Sequence, residues 1–423
     1  MLELSRIREQ KEDIIEKMKV RNFDAEAHLN KVIKLDEERK NTQRNLDHDL
    51  AEANKIAKSV GQLFKEGKQE EANVLKARAS SLKGSSQELK SKLTELEDAI
   101  RNLLYLIPNV PNAIVPIGNS DENNEIISEE GAIPALHSDA IPHWELAKQY
   151  NIIDFELGVK ITGAGFPVYN GKGARLQRAL INFFIDEAVE NGFEEVIPPL
   201  LVNQASGHGT GQLPDKEGQM YHCEVDDFYL IPTAEVPITN IFRDVIINAS
   251  DLPVKKAGYT PCFRREAGSY GSDVRGLNRL HQFDKVEIVQ VAHPNKSYQI
   301  LDEMVEHVKE LLRKLELPFR VAKLCGGDLG FTSALTFDLE VYSAAQQKWL
   351  EVSSISNFES FQSNRLKLRF REGNEKPQLA HTLNGSALAL PRIVAALLEN
   401  NQTPEGIVIP EALRKYTGFD IIN

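Results

Sequence analysis

The chain is poor in cysteine and has no long apolar run. Its three cysteines, Cys223, Cys262 and Cys325, are scattered through 423 residues. Because no two of them have the close spacing of a structural zinc site or a redox motif, the sequence argues against both and favours a reducing compartment. The N-terminus is charged from Glu3 onward, and no stretch reaches the roughly 20 apolar residues of a membrane span. We therefore expect a cytoplasmic protein without a signal peptide or a transmembrane segment.

Two common nucleotide-binding signatures are also missing. The chain contains no G-x-G-x-x-G stretch and no Walker A stretch, so it gives no support for a Rossmann domain or a P-loop. Its 41% hydrophobic and 26% charged residues are typical of a globular protein. The formal net charge of -12 argues against a protein that merely coats nucleic acid, although one domain could still carry a local basic surface.

Proline is absent before Pro108, and this absence divides the chain. Residues 1–107 are rich in Glu, Lys, Leu and Ala, whereas prolines, glycines and strand-like runs are frequent afterwards. The length is sufficient for two domains. We therefore predict a helical region over residues 1–107 and a second domain over residues 108–423.

The helical region contains apolar residues in alternating steps of three and four, which keep one seam on one side of a helix. In its second half these positions are Leu75, Ala79, Leu82, Ser86, Leu89, Leu93, Leu96, Ile100 and Leu103. Upstream they are Leu46, Leu50, Ala53, Ala57, Val60 and Phe64. Gly61, Gly67 and Lys68 lie near the break between the two runs and suit a chain reversal. This pattern predicts two long helices in an antiparallel coiled-coil hairpin, with its tip near residues 64–70.

Charge suggests a use for this hairpin. Residues 1–107 carry 21 Lys and Arg against 20 Asp and Glu, so most of the negative charge lies in the second domain. Residues 51–92 carry nine basic and five acidic residues. A basic outer part fits contact with a phosphate backbone. A dimerisation rod, or a spacer with a solvated face, fits the same pattern.

In the second domain, residues 256–266 and 279–291 are rich in strand-forming residues and flank a glycine-rich loop at 268–276, which predicts a hairpin. Side chains two apart share a strand face, so Arg264 and Glu266 point one way. Phe283, Lys285 and Glu287 likewise share a face. If the two faces coincide, a guanidinium, a ring and carboxylates suit the phosphate, base and amino groups of a nucleotide. A surface hairpin with scattered charges is the alternative.

Another strand, residues 349–354, carries Glu351 and Ser353 between apolar neighbours. Strict alternation places both side chains on one face. A carboxylate beside hydroxyl groups suits a magnesium ion that bridges phosphates. A sheet with one solvated face is the alternative.

Arg392 follows Pro391 at the start of an apolar stretch that reads as a helix. Proline is tolerated in the first helical turn, so Arg392 lies near a helix N-terminus, where the dipole favours an anion. The sequence predicts phosphate as the partner of this arginine, with an ion pair to a carboxylate as the alternative.

These segments resemble a known family. Phe263-Arg264-Arg265-Glu266, followed by a loop and His281-Gln282-Phe283, resembles motif 2 of class II aminoacyl-tRNA synthetases. Residues 387–399, with Arg392 inside, resemble motif 3, and residues 175–203, with Pro198-Pro199, resemble motif 1. Shorter matches to bacterial-type seryl-tRNA synthetases are Thr233-Ala234-Glu235, Glu266-Ala267-Gly268-Ser269, Arg275-Gly276-Leu277 and Asn384-Gly385-Ser386. The resemblance covers essentially the whole chain.

The resemblance implies an α+β fold in which an N-terminal coiled-coil arm binds tRNA and the second domain is an antiparallel sheet flanked by helices. It implies ATP-dependent attachment of serine to serine tRNA through a seryl-adenylate, and to selenocysteine tRNA where that is present. ATP as substrate, Mg²⁺ and a homodimer belong to the same expectation. A carrier-protein ligase of the same fold and a non-catalytic RNA-binding paralogue are the alternatives.

The resemblance also assigns roles to residues. Arg264 would bridge the serine carboxylate and the α-phosphate, Glu266 would meet the adenine amino group, and Phe283 would stack on adenine. Arg392 would lie on the other adenine face or on the γ-phosphate, and Glu351 would hold magnesium. The other ATP-site residues would be Arg265, Leu280, Val352, Ser353 and Ser354. Those around serine, besides Arg264, would be Thr233, Ala234, Glu235, Glu287, Asn384 and Ser386.

Overall fold

The structure, a computed structural model, describes residues 1–216, 218–266 and 275–423. It divides into two compact units. The first, here called the helical arm, comprises Leu2–Lys19 and Phe23–Pro108. The second, here called the body, comprises Met1, Val20–Asn22 and Asn109–Asn423.

The helical arm contains the predicted hairpin. Its helices are α1 (Leu4–Glu9), α2 (Lys11–Met18), α3 (Glu26–Lys65) and α4 (Gln69–Leu104). Helices α3 and α4 have 40 and 36 residues and are joined at residues 66–68, within the predicted tip. The Ser85 hydroxyl donates to Asp49 at 2.7 Å, and Arg78 pairs with Glu52. Because these partners converge toward the tip, the two helices are antiparallel, as predicted.

The predicted seam of α4 faces its partner helix, but the predicted seam of α3 is wrong at alternate positions. Leu96 and Ile100 on α4 are 7% and 4% exposed. On α3, Leu50 is 38% and Phe64 47% exposed. The buried and half-buried positions in this part of α3 are Leu46, Asp49, Glu52, Ala53, Ile56, Val60 and Leu63. The apolar pattern did not indicate this register, because the polar residue Asp49 occupies a seam position, where it accepts a hydrogen bond from α4.

A buried carboxylate ties α1 to α3 within the arm. The Asp36 side chain is 1% exposed and forms ion pairs with Arg8 at 2.7 Å, Arg39 at 2.8 Å and Lys40 at 3.0 Å. Burial alone would raise the pKa of Asp36, but hydrogen bonds from the three cations outweigh it and lower the pKa. Arg8 comes from α1 and the other two from α3 itself.

The body combines many strands with shorter helices. Its strands are β1 (Glu125–Glu130), β2 (Ile153–Asp154), β3 (Val168–Tyr169), β4 (Glu194–Glu195), β5 (Leu201–Asn203), β6 (His222–Cys223), β7 (Phe228–Leu230), β8 (Ile246–Asn248), β9 (Val254–Phe263), β10 (Gln282–Ala292), β11 (Phe319–Lys323), β12 (Leu335–Ser343), β13 (Lys348–Asn357), β14 (Arg369–Arg371), β15 (Gln378–Leu379), β16 (His381–Ala389), β17 (Gln402–Thr403), β18 (Gly406–Val408) and β19 (Ile421–Ile422). Its helices are α5 (His143–Gln149), α6 (Phe155–Ile161), α7 (Gly171–Glu190), α8 (Gln204–Thr210), α9 (Glu235–Asn240), α10 (Ser297–Lys314), α11 (Phe361–Leu366), α12 (Leu390–Asn400) and α13 (Glu411–Thr417).

The main sheet has the strand order β1-β11-β12-β13-β16-β10-β9-β4. Its neighbouring strands are antiparallel, except that the short β4 runs parallel to β9. Helices α7, α10 and α12 pack against it. The predicted α+β class, an antiparallel sheet flanked by helices in one unit and a helical arm as the other, is confirmed.

Alternation along the strands gives this sheet two different faces. Val286 and Ile288 of β10 belong to the large apolar core, together with apolar residues of the three helices. Helix α10 contributes residues spaced three and four apart, including Leu301, Met304 and Val308. The side chains between these strand positions, such as Lys285 and Glu287, line a cavity instead.

The motif 1 segment contains a long helix, α7, as the resemblance implied, but Pro198-Pro199 lie between the short strands β4 and β5 and not on a strand. The apolar face of α7 is in the core of the single chain. Leu176, Leu180, Phe183 and Phe184 are each at most 2% exposed. Among the described residues, no helix combines the length and the apolar character needed to cross a membrane.

Candidate active site

A cavity of about 550 Å³ opens on the main sheet and collects most of the predicted site residues. Those that line it are Thr233, Glu235, Arg264, Glu266, Leu280, Phe283, Glu287, Glu351, Val352, Ser353, Ser354, Asn384, Ser386 and Arg392. They come from β10, β13, β16, the N-termini of α9 and α12, and the segments that flank β9 and β10. The chain therefore brings together side chains that are more than 150 residues apart in sequence.

Two predicted residues do not line the cavity. Ala234 is fully buried at the N-terminus of α9. Arg265 is exposed, and its backbone N–H donates to the Gln219 carbonyl at 2.8 Å. The predicted loop at 268–276 lies outside the described residues except for Arg275 and Gly276, as does most of the Glu266-Ala267-Gly268-Ser269 match.

The predicted hairpin is present and forms one wall of the cavity. β9 and β10 pair from Phe263 and Gln282 inward, and the Arg264 N–H extends the pairing by donating to the His281 carbonyl at 2.9 Å. The Arg264 guanidinium lies over the Phe283 ring, 5.2 Å from its centroid, and its Nε donates to the Pro232 carbonyl at 3.2 Å. The predicted coincidence of the two strand faces is thus correct.

Glu266 leaves the strand in the left-handed region, with a φ of 48°. Its carboxylate pairs with Arg279 at 2.9 Å. Both side chains line the cavity.

β13 contains a bulge that strict alternation did not foresee. Leu339 pairs with Ser353, but the next residue, Glu340, pairs with Glu351, so Val352 is extra. An extra residue shifts the alternation of the side chains that follow. It brings Ser354 to the side of Glu351, where both line the cavity. Ser353 also lines it, but its hydroxyl is engaged by the Ser386 carbonyl at 2.6 Å.

Arg392 occupies the first turn of α12 directly after Pro391, as predicted. Its guanidinium donates to the carbonyls of Glu351 at 2.7 Å and Asn278 at 3.2 Å. A carboxylate oxygen of Glu351 lies 3.5 Å away. The alternative ion pair is therefore present, but at this distance and with a carboxylate that is 49% exposed it is weak. The carbonyls fix the guanidinium at the cavity.

The residues around Glu351 fit a magnesium ion that arrives with a nucleotide. Among the described residues, no group of three or more His, Cys, Asp or Glu side chains could hold a metal by itself. Magnesium usually keeps several waters and takes one or two carboxylates plus substrate phosphates. The Glu351 carboxylate and the Ser354 hydroxyl suit that sparse set. Opposite Ser354, burial and then the charge of Glu351 raise the pKa of Asp338 well above its usual range.

The deep end of the cavity holds two buried carboxylates. Glu287 is 1% exposed and pairs with Lys285 at 2.6 Å. The Thr233 hydroxyl donates to Glu287 at 3.3 Å and accepts from the Glu235 N–H at 3.3 Å. Glu235 is 7% exposed and accepts from the Gln362 amide at 2.6 Å.

Burial, followed by the charge of Glu287, raises the pKa of Glu235 to about 7. Hydrogen bonds from Gln362 and Asn384 and the charge of Lys285 oppose this rise without cancelling it. The deep end is thus a small polar chamber with unbalanced charge.

Sequence reasoning missed Lys285 and Arg279 as site residues. Lys285 is 6% exposed, and a buried ammonium needs a partner. The signal was present, because Lys285 precedes Glu287 by two residues on a strand whose alternate side chains were already assigned to one face. Arg279 gave no comparable signal, since its partner Glu266 reaches it only through a left-handed turn.

Comparison with known proteins agrees with this architecture. Residues 1–111 match the seryl-tRNA synthetase N-terminal domain, and residues 221–401 match the class II tRNA synthetase core domain (G, H, P, S and T). The serine–tRNA ligase of Salinibacter ruber is 50% identical over 99% of this chain and 98% of its own length.

Two solved structures are similar over the full chain. The seryl-tRNA synthetase of Pyrococcus horikoshii, solved with ATP, has a TM-score of 0.92 at 33% identity and covers 100% of this chain and 99% of its own. The cytoplasmic serine–tRNA ligase of Naegleria fowleri, solved with AMP, has a TM-score of 0.87 at 26% identity, with coverage of 100% and 99%.

Proposed function

The chain is a ligase of the seryl-tRNA synthetase family, and from that premise we propose that it attaches L-serine to serine tRNA in an ATP-dependent reaction. The first step is attack of the serine carboxylate on the α-phosphorus of ATP, which forms seryl-adenylate and releases pyrophosphate. The second step transfers the seryl group to the terminal ribose of tRNA. The observation that carries the proposal is a single cavity with an arginine–aromatic wall at one end and a buried carboxylate pair at the other.

We assign the nucleotide to the wall formed by Arg264, Phe283 and Arg392. Phe283 offers a ring for stacking on adenine, and Glu266 offers a carboxylate for its amino group. The Arg264 guanidinium, held by the Pro232 carbonyl, lies between this wall and the carboxylate chamber. That position suits a bridge between the α-phosphate and the serine carboxylate. The other nucleotide contacts in this proposal are Leu280, Val352, Ser353 and Ser354; Arg265 lacks a place in it.

Serine is assigned to the chamber of Thr233, Glu235, Glu287, Asn384 and Ser386. Carboxylates and hydroxyl groups there suit the α-ammonium and the side-chain hydroxyl of serine. Alanine would leave buried polar groups unpaired, which can exclude such an analogue by about 10⁴-fold. Threonine carries the same hydroxyl, so the shape of the chamber has to exclude it. Ala234 acts in this proposal only by its position at the start of α9.

Catalysis in this proposal needs no protein nucleophile. Arg264 and Arg392 orient the phosphates and neutralise charge that develops on their oxygens. Glu351, with Ser354, would hold the Mg²⁺ that accompanies ATP. When bound, that ion supplies further positive charge to the phosphates.

The helical arm is proposed as the tRNA-binding domain, with residues 108–423 as the catalytic domain. The match of residues 1–111 to the family's N-terminal domain and the basic outer part of the hairpin support this assignment. Charging of selenocysteine tRNA, where present, belongs to the same proposal.

We also propose a homodimer in the cytoplasm. Large apolar side chains on and near the motif 1 strands are exposed in the single chain: Ile197 is 89%, Leu201 44% and Phe228 41% exposed. Exposed apolar groups of this kind are frequent at interfaces. The three cysteines are free thiols, which suits a reducing compartment.

Serine-dependent exchange of pyrophosphate into ATP, followed by charging of serine tRNA, tests the function. Exchange with serine, but not with alanine or threonine, together with charging is the expected result. Absence of exchange would refute the ligase proposal. Exchange with transfer to a carrier protein and not to tRNA would favour the carrier-protein ligase instead.

A further inference from the structure

The serine chamber contains more buried negative than positive charge. Glu235 and Glu287 are 7% and 1% exposed. Lys285 projects from β10 into this chamber and is 6% exposed. Lys285 lies 2.6 Å from Glu287 and is thereby committed to it. A second ionised carboxylate in the same chamber would have no cation of its own. Buried charge without a partner is strongly disfavoured, so the chamber has to take up a cation or a proton.

The groups that face Glu235 cannot supply a full positive charge. Gln362 from α11 donates a neutral amide N–H at 2.6 Å. Its other amide atom accepts from the Thr382 hydroxyl at 2.7 Å, which fixes the donor toward Glu235. Asn384 from β16 adds a second neutral hydrogen bond. The charged groups nearby are Glu287 and Lys285 of β10, which pair with each other, and Arg264, which is held at the edge of the chamber by the Pro232 carbonyl and the Phe283 ring.

We propose that Glu235 carries an exchangeable proton in the empty chamber and that the α-ammonium of serine displaces this proton to solvent. Lys285 is a positioning residue in this scheme, because its ion pair with Glu287 orients that carboxylate and commits the ammonium group to it. The proposal rests on the assignment of serine to this chamber. The O–H bond of the Glu235 carboxyl breaks, its proton goes to the buffer, and the ligand's positive charge takes its place.

The raised pKa of Glu235, about 7, sets the pH window for this exchange. Above pH 7 the Glu235 carboxylate is already ionised, so serine binding displaces only a small fraction of a proton. Below pH 7 serine competes with a proton, so its affinity is expected to fall by up to about tenfold per pH unit. Serine itself gives no such trend, because its ammonium is fully protonated throughout this acid range.

Calorimetric titration of the full chain with L-serine in two buffers that differ in protonation enthalpy measures the displaced proton directly. At pH 7 about half a proton per site is expected to be released, rising toward one at pH 6 and falling toward zero at pH 8. Glu235→Gln retains an acceptor for Gln362 and is expected to bind serine without buffer dependence. Asp302→Asn is the matched control, since Asp302 is an exposed carboxylate on α10, and it is expected to release as much as the wild type.

Lys285 is tested by a pair of variants. Lys285→Arg retains the cation and is expected to keep the wild-type proton release. Lys285→Met removes the cation, so Glu235 and Glu287 share protons and the number of protons released at pH 7 is expected to rise toward one per site. The KM for serine is expected to rise more than the KM for ATP. An unchanged release in Lys285→Met would remove the positioning role. If this variant does not fold, an altered release in Lys285→Arg would do the same.

The outcomes separate this inference from the proposed function. Serine-dependent exchange without proton release, or release that persists in Glu235→Gln, would overturn the inference and leave the ligase proposal standing. Absence of both serine binding and exchange would overturn the proposed function itself.

Discussion

Each unit of this protein contains a buried carboxylate whose pKa is shifted, and the two shifts have opposite directions. Asp36 in the helical arm contacts three cations within 3.0 Å, and its pKa is lowered. Glu235 in the body receives hydrogen bonds from neutral amides, and its pKa is raised to about 7. Both side chains are well buried. The difference lies in the charges around them and not in exposure to water.

The comparison separates structural charge from functional charge. In the arm, the buried carboxylate is fully paired with cations, so it joins α1 to α3 and needs no ligand as a partner. In the body, the imbalance remains inside a cavity, where a bound cation can correct it. An unmatched buried charge in a cavity is therefore a better indicator of a ligand site than an ion pair of the same burial.

The largest expected effect confines the chemistry to the body. Arg264→Ala is expected to lower serine-dependent pyrophosphate exchange by about 10³-fold, because in the proposed site it removes the positive charge assigned to the reacting phosphate. Steady-state exchange rates measure this. Arg243→Ala, outside the cavity lining, is the matched control. Normal exchange in Arg264→Ala would break the assignment of chemistry to this wall.

The next effect tests the arm alone. Residues 50–84 can be removed in register, because Asp49 and Ser85 are hydrogen-bonded and a short glycine-rich turn can join them. Charging of serine tRNA is expected to fall by about 10²-fold or more, since seven basic side chains that could contact phosphates are lost. Exchange without tRNA is expected to stay within about twofold, because the cavity is untouched.

A full-length variant in which Lys58, Lys65 and Lys76 are changed to Gln separates charge from length. It is expected to weaken charging less than the excision does and to reduce its dependence on salt. If charging survives the excision, the hairpin is a rod or spacer and not a tRNA-binding element.

The smallest effect contrasts the two carboxylates directly. Asp36→Asn is expected to destabilise the arm by about 1–3 kcal/mol near pH 7, toward the low end because the three cations are partly exposed. Because folding lowers the pKa of Asp36, its ionised carboxylate stabilises the wild type above the pKa of the unfolded chain, and this stabilisation is lost in acid. The stability deficit of the variant therefore shrinks as the pH falls below about 4. Hydrogen exchange of peptides from α1 and α3 measures it.

Glu235→Gln is expected to show the opposite trend. Because folding raises the pKa of Glu235, the wild type loses stability as the pH rises from about 4.5 to 7. The variant therefore gains stability relative to the wild type over that interval, and the gain is constant above it. Hydrogen exchange of peptides from α9 and β10 measures the gain. The same pH trend in both variants would end the contrast between the two units.

Periodicity predicted elements well wherever the chain followed it without interruption. The hairpin around Arg264 and the seam of α4 are regular, so spacing alone located them. The seam of α3 was displaced because Asp49, a polar residue, occupies it. The side of β13 on which Ser354 lies could not be predicted, because a bulge depends on the pairing partner in β12 and not on the local sequence.

The residues of the site also differed in how well the sequence alone predicted them. Glu287 and Phe283 follow from strand alternation, whereas Gln362 reaches Glu235 from a helix 127 residues away. Contacts between distant segments have no local signature in one sequence. Resemblance to a family recovered Glu235, but the charge imbalance around it needed the three-dimensional arrangement.

The bulge at Val352 also limits which length changes β13 can accept. Deleting that single residue would return the strand to regular pairing, because Glu351 would still lie opposite Glu340 and Ser353 opposite Leu339. Ser354 would then stay on the cavity side and Ile355 in the apolar core. Deleting any other single residue of β13 would instead shift the pairing register or turn the residues beyond it to the opposite face. Changes of one residue in relatives are therefore expected at the bulge, or in the flanking turn at residues 344–347, and not elsewhere in the strand.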